Sequence, residues 1–213
     1  MENIKSLRLR YFPFTGRAAA IRDAFTIGHV AFEDDFIPPE QFRERRAAGE
    51  FPFGGLPVLD VETTSGKYCS AQSNAILRFA GRLSGLYPVE DMIQALKVDE
   101  ALDLGEDINQ LIAPSLHEND EQRKMAMRKE LAEHTLPECA AYFERLLINN
   151  GSTGFIVGKA LTVADLKIYW IIDWLTSGML DGIPTDIFAP YTNISAWREN
   201  ISEVRELQLK GND

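Results

Sequence analysis

A change of texture near residue 84 constrains this chain more than any other feature of its 213 residues. Before it, strand-like and helix-like patterns alternate. Leu7, Leu9 and Tyr11 are spaced by two, as in a strand with one buried face, and Pro13 with Gly16 ends that strand. Ala20, Ile21, Ala24 and Phe25 then follow at helical spacing, with Gly28 as a stop. Residues 30–37 predict a second strand closed by Pro38 and Pro39, and 40–49 a charged stretch, helical or irregular. Residues 56–61 and 67–71 predict a hairpin, and 73–83 a helix with Ile76, Leu77 and Ala80 on one face. The order βαβ then ββα buries its faces most simply as a mixed four-stranded sheet covered by helices.

From Glu90 onward no strand pattern remains. Helical periodicity dominates over 90–112, 119–148, 162–177 and 192–202, with breaks expected at Ala113-Pro114, 149–154 and 181–184. The fold class is therefore α/β plus all-α. The domains expected are an α/β unit at 1–83, a linker at 84–89 and an all-helical unit at 90–213. In the last unit Thr162-Val-Ala-Asp165 has the form of a capping box, in which the acidic side chain reaches back to the cap.

Composition removes several classes of function. A formal net charge of −10 argues against nucleic acid as a partner, because phosphates need clustered Lys and Arg. The one basic run, Arg43, Arg45 and Arg46, reads as a solvated helix face. No apolar run reaches the roughly 18–20 residues that span a bilayer, and the charged N-terminal residues lack the form of a secretory signal. Two cysteines, Cys69 and Cys139, make no disulfide framework and no C-x-x-C pair. A cytoplasmic protein is expected, so the Asn-x-Ser sites at Asn150, Asn193 and Asn200 read as chance. His29, His117 and His134 lack metal-ligand spacing, so no metal is expected.

Four blocks carry a family resemblance: YFPFTGRAAAIRDAF (11–25), PFGGLPVLD (52–60), AQSNAILRFAGRLSGLYP (71–88) and GFIVGKALTVADLKIYW (154–170). In order and separation they resemble cytosolic glutathione transferases of the tyrosine type, near the sigma and pi classes. The resemblance implies a thioredoxin-like N-terminal domain, a helical C-terminal domain and a homodimer. It implies no cofactor, with glutathione as co-substrate and an apolar electrophilic small molecule as second substrate. A free thiol, with a pKa near ~8.5, is only a few per cent thiolate at neutral pH. Tyr11 is the residue expected to donate its phenolic hydrogen to that sulfur, aided by the following helix N-terminus.

The same resemblance assigns the peptide contacts. Arg17 is expected to support the site and Phe12 to pack beside it. Leu56 is expected to pair with the cysteinyl backbone across a cis bond to Pro57, a small case of strand addition. Ser73, expected to cap its helix, and Gln72 are expected at the γ-glutamyl carboxylate. Asp107 is expected to reach the γ-glutamyl amine of the other subunit. Phe14, Ala113 and His117 fall at positions that line the second-substrate pocket in relatives.

The pattern departs from the family at the glycyl end. Relatives place a tryptophan there with a lysine four or six residues later. A gapless alignment from Pro57 puts Ala48 at the lysine, whereas a two-residue insertion gives the roles to Phe42 and Arg46, with the i, i+4 spacing. Phe53 stands where pi-class proteins insert an aromatic key into the neighbouring subunit, and sigma-type proteins carry a similar segment without that use. Two rival functions remain open: a glutathione-dependent isomerase or peroxidase on the same site, and a non-catalytic ligand-binding or structural relative.

Overall fold

The computed structural model describes residues 3–210; Met1, Glu2 and the last three residues of the expected helical unit lie outside them. The chain divides into two compact units, one running through Tyr87 and the other spanning Pro88–Gln208.

The first unit is built on a four-stranded sheet of β1 (Ile4–Tyr11), β2 (Glu33–Phe36), β3 (Val58–Thr63) and β4 (Lys67–Ala71) in the order β2-β1-β3-β4. β1 pairs parallel with β2 and antiparallel with β3, and β3 pairs antiparallel with β4. Both neighbours of β1 are therefore strands, and alternation sends Leu7, Leu9 and Tyr11 to one buried face. Leu59 and Val61 of β3, opposite Leu9 and Leu7, extend that face. Two packed helices, α1 (Ala19–Ile27) and α3 (Ser73–Ser84), bring in Ile21, Ala24, Phe25, Ile76, Leu77 and Ala80. Gly28 lets them meet: a Cβ there would lie 2.2 Å from that of Ser84. On the other side Ile37, Phe51 and Val58 form a smaller cluster, with Phe42, Leu56 and Ala71 packed against it. Phe42 comes from α2 (Pro39–Ala47), so the charged stretch is a helix rather than irregular chain.

Two strands differ from the sequence reading. β2 is shorter than 30–37, and β3 begins at Val58, after the cis Leu56-Pro57 bond.

The second unit consists, among the described residues, of α4 (Met92–His117), α5 (Glu121–Glu130), α6 (Leu136–Asn149), α7 (Val163–Leu175) and α8 (Thr192–Lys210). The break expected at Ala113-Pro114 does not occur. Proline removes one N–H from the helix, while buried Ile112 and Ser115 hold the last turn in place. The Ser115 hydroxyl donates to the Ile112 carbonyl at 2.9 Å, and Arg128 of α5 reaches Ser115 at 3.5 Å. The single helix expected over 119–148 is instead interrupted by one wide π-type turn at Leu131–Thr135. Pro137 supplies the reason, since it lacks the N–H that a continuous helix would aim at the Glu133 carbonyl. α8 runs eight residues beyond the expected 202, to Lys210. Among the described residues no helix is long and apolar enough to cross a membrane.

Asp165 does more than close a capping box. Its carboxylate is fully buried and accepts from the Thr162 N–H at 2.9 Å and the Thr162 hydroxyl at 3.0 Å. The Ile156 N–H at 2.8 Å and the Trp197 indole at 3.0 Å complete the set, tying the preceding loop, α7 and α8 together. Burial raises its pKa, against four donors that each act to lower it. The three Asn-x-Ser carboxamides are likewise used internally. Asn150 donates to the Gly158 carbonyl, Asn193 to Glu144 and Asn200 to the Gly154 carbonyl.

Asp165→Ala strands buried donors, so we expect a loss of about 3 kcal/mol and a melting temperature lower by roughly 6–12 °C. Differential scanning calorimetry measures both.

Candidate functional site

Strand register assembles the site. Arg10 of β1 pairs with Val58 of β3, and Val58 with Ala71 of β4. The last residue of β1 (Tyr11), the Leu56-Pro57 bond before β3 and Gln72 after β4 therefore stand in a row at one end of the sheet. With strands about 4.8 Å apart, that row is about 10 Å long.

The Tyr11 side chain is only 5% exposed. Its hydroxyl accepts the Arg17 backbone N–H at 3.0 Å, at the short 3₁₀ turn Gly16–Ala18 that precedes α1. With a lone pair so engaged, the phenolic hydrogen is left to point elsewhere. Burial raises the Tyr11 pKa above its ordinary value; the Arg17 N–H and then the charges of Arg17 and Arg22 oppose the rise. The phenol thus stays protonated at neutral pH and remains a donor. Gly16 permits the contact: at φ +44° it occupies the left-handed region, and a Cβ there would lie 2.5 Å from the Tyr11 hydroxyl.

Aromatic rings wall this corner. Phe12 and Phe14 stack at 5.3 Å, both meet Tyr11 edge-on, and Phe12 meets Phe42 edge-on at 5.3 Å. Phe42 in turn stacks on Phe51 at 5.5 Å. Phe14 is 52% exposed and offers its ring to solvent. Four residues on from Phe42, the exposed Arg46 lies over Gly54, whose Cβ would stand 3.2 Å from the arginine Nε. Among the described residues no carboxylate lies within ion-pair distance of Arg46. Ala48 merely follows α2 as its C-cap.

At the row's far end Gln72 has φ +77°, a conformation uncommon for a residue with a side chain and a known mark of functional strain, costing roughly 1–3 kcal/mol. It precedes α3, whose N-terminal N–H groups suit a carboxylate. The expected serine cap is corrected here. Gln72 occupies the cap position without a side-chain capping bond, and Ser73, buried, is the first helical residue.

Asp107, Ala113 and His117 all lie on α4 of the second unit. Ala113 is half-buried and His117 exposed, one turn apart on the same side. Asp107 is exposed and, at 100° per residue, projects about a third of a turn away from Ala113.

Sequence reading missed Arg22, Asp34, Gly16 and Phe51. Arg22 joins Asp34 and the carbonyls of Phe12 and Phe14, all distant in sequence, and no local pattern announces that set. Gly16 was visible only as a strand breaker.

Comparison with known proteins identifies the lineage. Glutathione S-transferase P of Homo sapiens is 32% identical over 178 residues, covering 82% of this chain and 80% of its own length. The chain belongs to the glutathione S-transferase family. Glutathione S-transferase 2 of Caenorhabditis elegans is 31% identical over 168 residues, 76% of this chain and 84% of that one. The family model "Glutathione S-transferase, C-terminal domain" matches residues 106–208. Among solved structures, prostaglandin synthase D of Nilaparvata lugens superposes with a TM-score of 0.82 at 27% identity, covering 97% of this chain and 96% of that one. The four-stranded sheet with its helices and the helical second unit are the fold of this family.

Gly16→Ala in this transferase-family site forces a side chain into the left-handed region and against the Tyr11 hydroxyl. We expect a loss of at least about 1 kcal/mol in urea denaturation, read as a lower midpoint at unchanged slope.

Proposed function

We propose that this protein joins the thiolate of glutathione to an electrophilic carbon of an apolar small molecule. The observation that carries the reading is the Tyr11 hydroxyl, which accepts from the Arg17 N–H and keeps its own proton. The glutathione thiol releases its proton to solvent. Tyr11 donates a hydrogen bond to the resulting thiolate without losing its hydrogen. The sulfur then forms a bond to carbon while the leaving group departs with the bonding electrons.

The row from Tyr11 to Gln72 supports a tripeptide, since three extended residues span about 10 Å. Leu56 pairs with its cysteinyl backbone beside Pro57. Gln72 and Ser73 take the γ-glutamyl carboxylate at the start of α3, and Asp107 of the second subunit takes the amine. Arg46 serves the glycyl carboxylate in place of a lysine, as a guanidinium can. Phe42, packed into rings on two sides, is a wall of that subsite, and Phe12 and Arg17 hold the Tyr11 corner. Phe14 on the first unit is assigned to the second substrate, as are Ala113 and His117 on α4 of the second. Holding both reactants together contributes much of the rate.

The class is sigma-like, the role detoxification, and the compartment the cytoplasm, whose thiol poise is set by glutathione. The assembly is a homodimer. An apolar groove of about 590 Å³ on the first unit supports it, lined by Pro52, Phe53, Val61, Tyr68, Ala75 and Phe79, with Phe53 73% exposed. A second reading, a glutathione-dependent isomerase, draws on the Nilaparvata lugens prostaglandin synthase. In that case glutathione returns unchanged after each turnover and no thioether accumulates.

Thioether formation with a chlorodinitrobenzene is expected in the wild type and is expected to fall at least about tenfold in Tyr11→Phe, a change of about 1.4 kcal/mol in barrier. The rate should rise with pH through an apparent thiol pKa below ~8.5 in the wild type and nearer ~8.5 in the mutant. Glutathione retention without thioether formation would favour the isomerase, and absence of both would refute the transferase. Sedimentation equilibrium is expected to give twice the 23.9 kDa of one chain. A single-chain mass would refute the dimer.

A further inference from the structure

Arg22 lies on α1, and six groups of the Tyr11 corner converge on it. Its Nε donates to the Asp34 carboxylate at 2.6 Å, and a second nitrogen meets the other Asp34 oxygen at 3.3 Å. The guanidinium also reaches back to the loop between β1 and α1, to the Phe14 carbonyl at 2.8 Å, the Phe12 carbonyl at 3.3 Å and the Thr15 carbonyl at 3.5 Å. The guanidinium also lies over two rings, 5.7 Å from the centre of Tyr11 and 5.2 Å from that of Phe36. Asp34 and Phe36 belong to β2, and Tyr11 pairs with Phe36 across the parallel ladder. One side chain thus fastens α1, β2 and the loop to the end of β1.

The loop leads into the turn whose Arg17 N–H holds the Tyr11 hydroxyl. It contains Pro13, exposed Phe14, Thr15 and the left-handed Gly16, so its own residues bury little that could hold it. Fixing three of its carbonyls through one half-buried fork therefore restrains where the Arg17 N–H lies.

We infer that Arg22 is a positioning residue for the reaction: by clamping the carbonyls of Phe12 and Phe14 it holds the Arg17 N–H on the Tyr11 hydroxyl, and so aims the phenolic hydrogen at the glutathione sulfur. This rests on the transferase reading of the site. Its charge, offset by Asp34 at contact distance and the smallest of the influences on Tyr11, is not the main working element. The fork is, since a lysine in its place could not meet a carboxylate and two carbonyls together.

The test is the ultraviolet thiolate absorbance of bound glutathione, titrated with pH in wild type, Arg22→Lys, Arg22→Met and Asp34→Asn, with circular dichroism and glutathione affinity measured alongside. For both Arg22 variants we expect the apparent thiol pKa to rise by about one unit toward the free value. We expect kcat/KM to fall about tenfold or more, with Kd for glutathione changed less than threefold because other residues grip the peptide. Asp34→Asn should move the titration the same way by a smaller amount. It carries the test together with Arg22→Lys if Arg22→Met does not fold. A thiol titration unmoved in the folded variants would overturn the proposal, as would full restoration by Arg22→Lys, which would assign the effect to charge. A wild type that binds glutathione without any thiolate band would overturn the transferase reading itself, and the positioning role with it.

Discussion

The chemistry of the first unit depends on how β1 ends. Because β1 is paired on both edges, its direction and register leave no freedom, and Tyr11 must project inward in line with Leu7 and Leu9. The same register brings the start of β3 and the end of β4 level with it. A slip of one residue would turn Tyr11, together with Leu7 and Leu9, to the opposite face and out of the core. The site therefore inherits its precision from the apolar face of the sheet. Its functional atoms, the Tyr11 hydroxyl and the backbone at Leu56 and Gln72, lie where the ladder stops and backbone groups are released from pairing.

Magnitudes decide how much machinery such a site needs. A hydrogen bond to a charged acceptor contributes roughly 1.5–3 kcal/mol, and one pKa unit corresponds to about 1.4 kcal/mol. A single well-aimed phenol can thus bring a thiol from ~8.5 to near neutrality. A cation at the sulfur is unnecessary. What is necessary is that the phenol not ionise first, and burial of Tyr11 secures this by raising its pKa against the influence of Arg17 and Arg22. Burial carries the cost of immobilising the ring among Phe12, Phe14 and Arg22, and that immobilisation is also what gives the donor its direction.

Legibility in the sequence followed the range of the forces involved. The alternation around Leu7, Leu9 and Tyr11, the helical stripe of Ile76, Leu77 and Ala80, and the turn before Lys67 are local patterns, and the structure contains the elements they predict. Pro114 and Pro137 misled in opposite directions. The first reads as a stop but sits in a helix held by Ser115 and Arg128, and the second lies in a smooth helical pattern but opens a wide turn. Both outcomes depend on what the missing N–H would have met, which periodicity does not encode. At Ser73 the residue type suggested a cap, whereas the positive φ at Gln72 moves the cap position back by one. Phe42 and Phe51 come together through stacking across nine residues of sequence, and Arg22 through acceptors on two elements.

The two halves of the proposed reaction are constrained very differently. Contacts proposed for glutathione sit where the strand register places them, at Leu56 before β3 and at Gln72 and Ser73 where α3 begins, with the side chains of Arg46 and Asp107 at the peptide's ends. The residues proposed for the second substrate are side chains. Phe14 is half exposed on a loop, and Ala113 with His117 rides the final turns of α4. Little of the core depends on their identity, so they can diverge while fold and peptide binding persist. That asymmetry lets the second-substrate side chains change without disturbing the sheet. It also places specificity for the electrophile where packing constrains it least. Arg22 falls between the two halves: its fork fixes the loop that carries Phe14, and the same loop leads to the N–H that orients Tyr11.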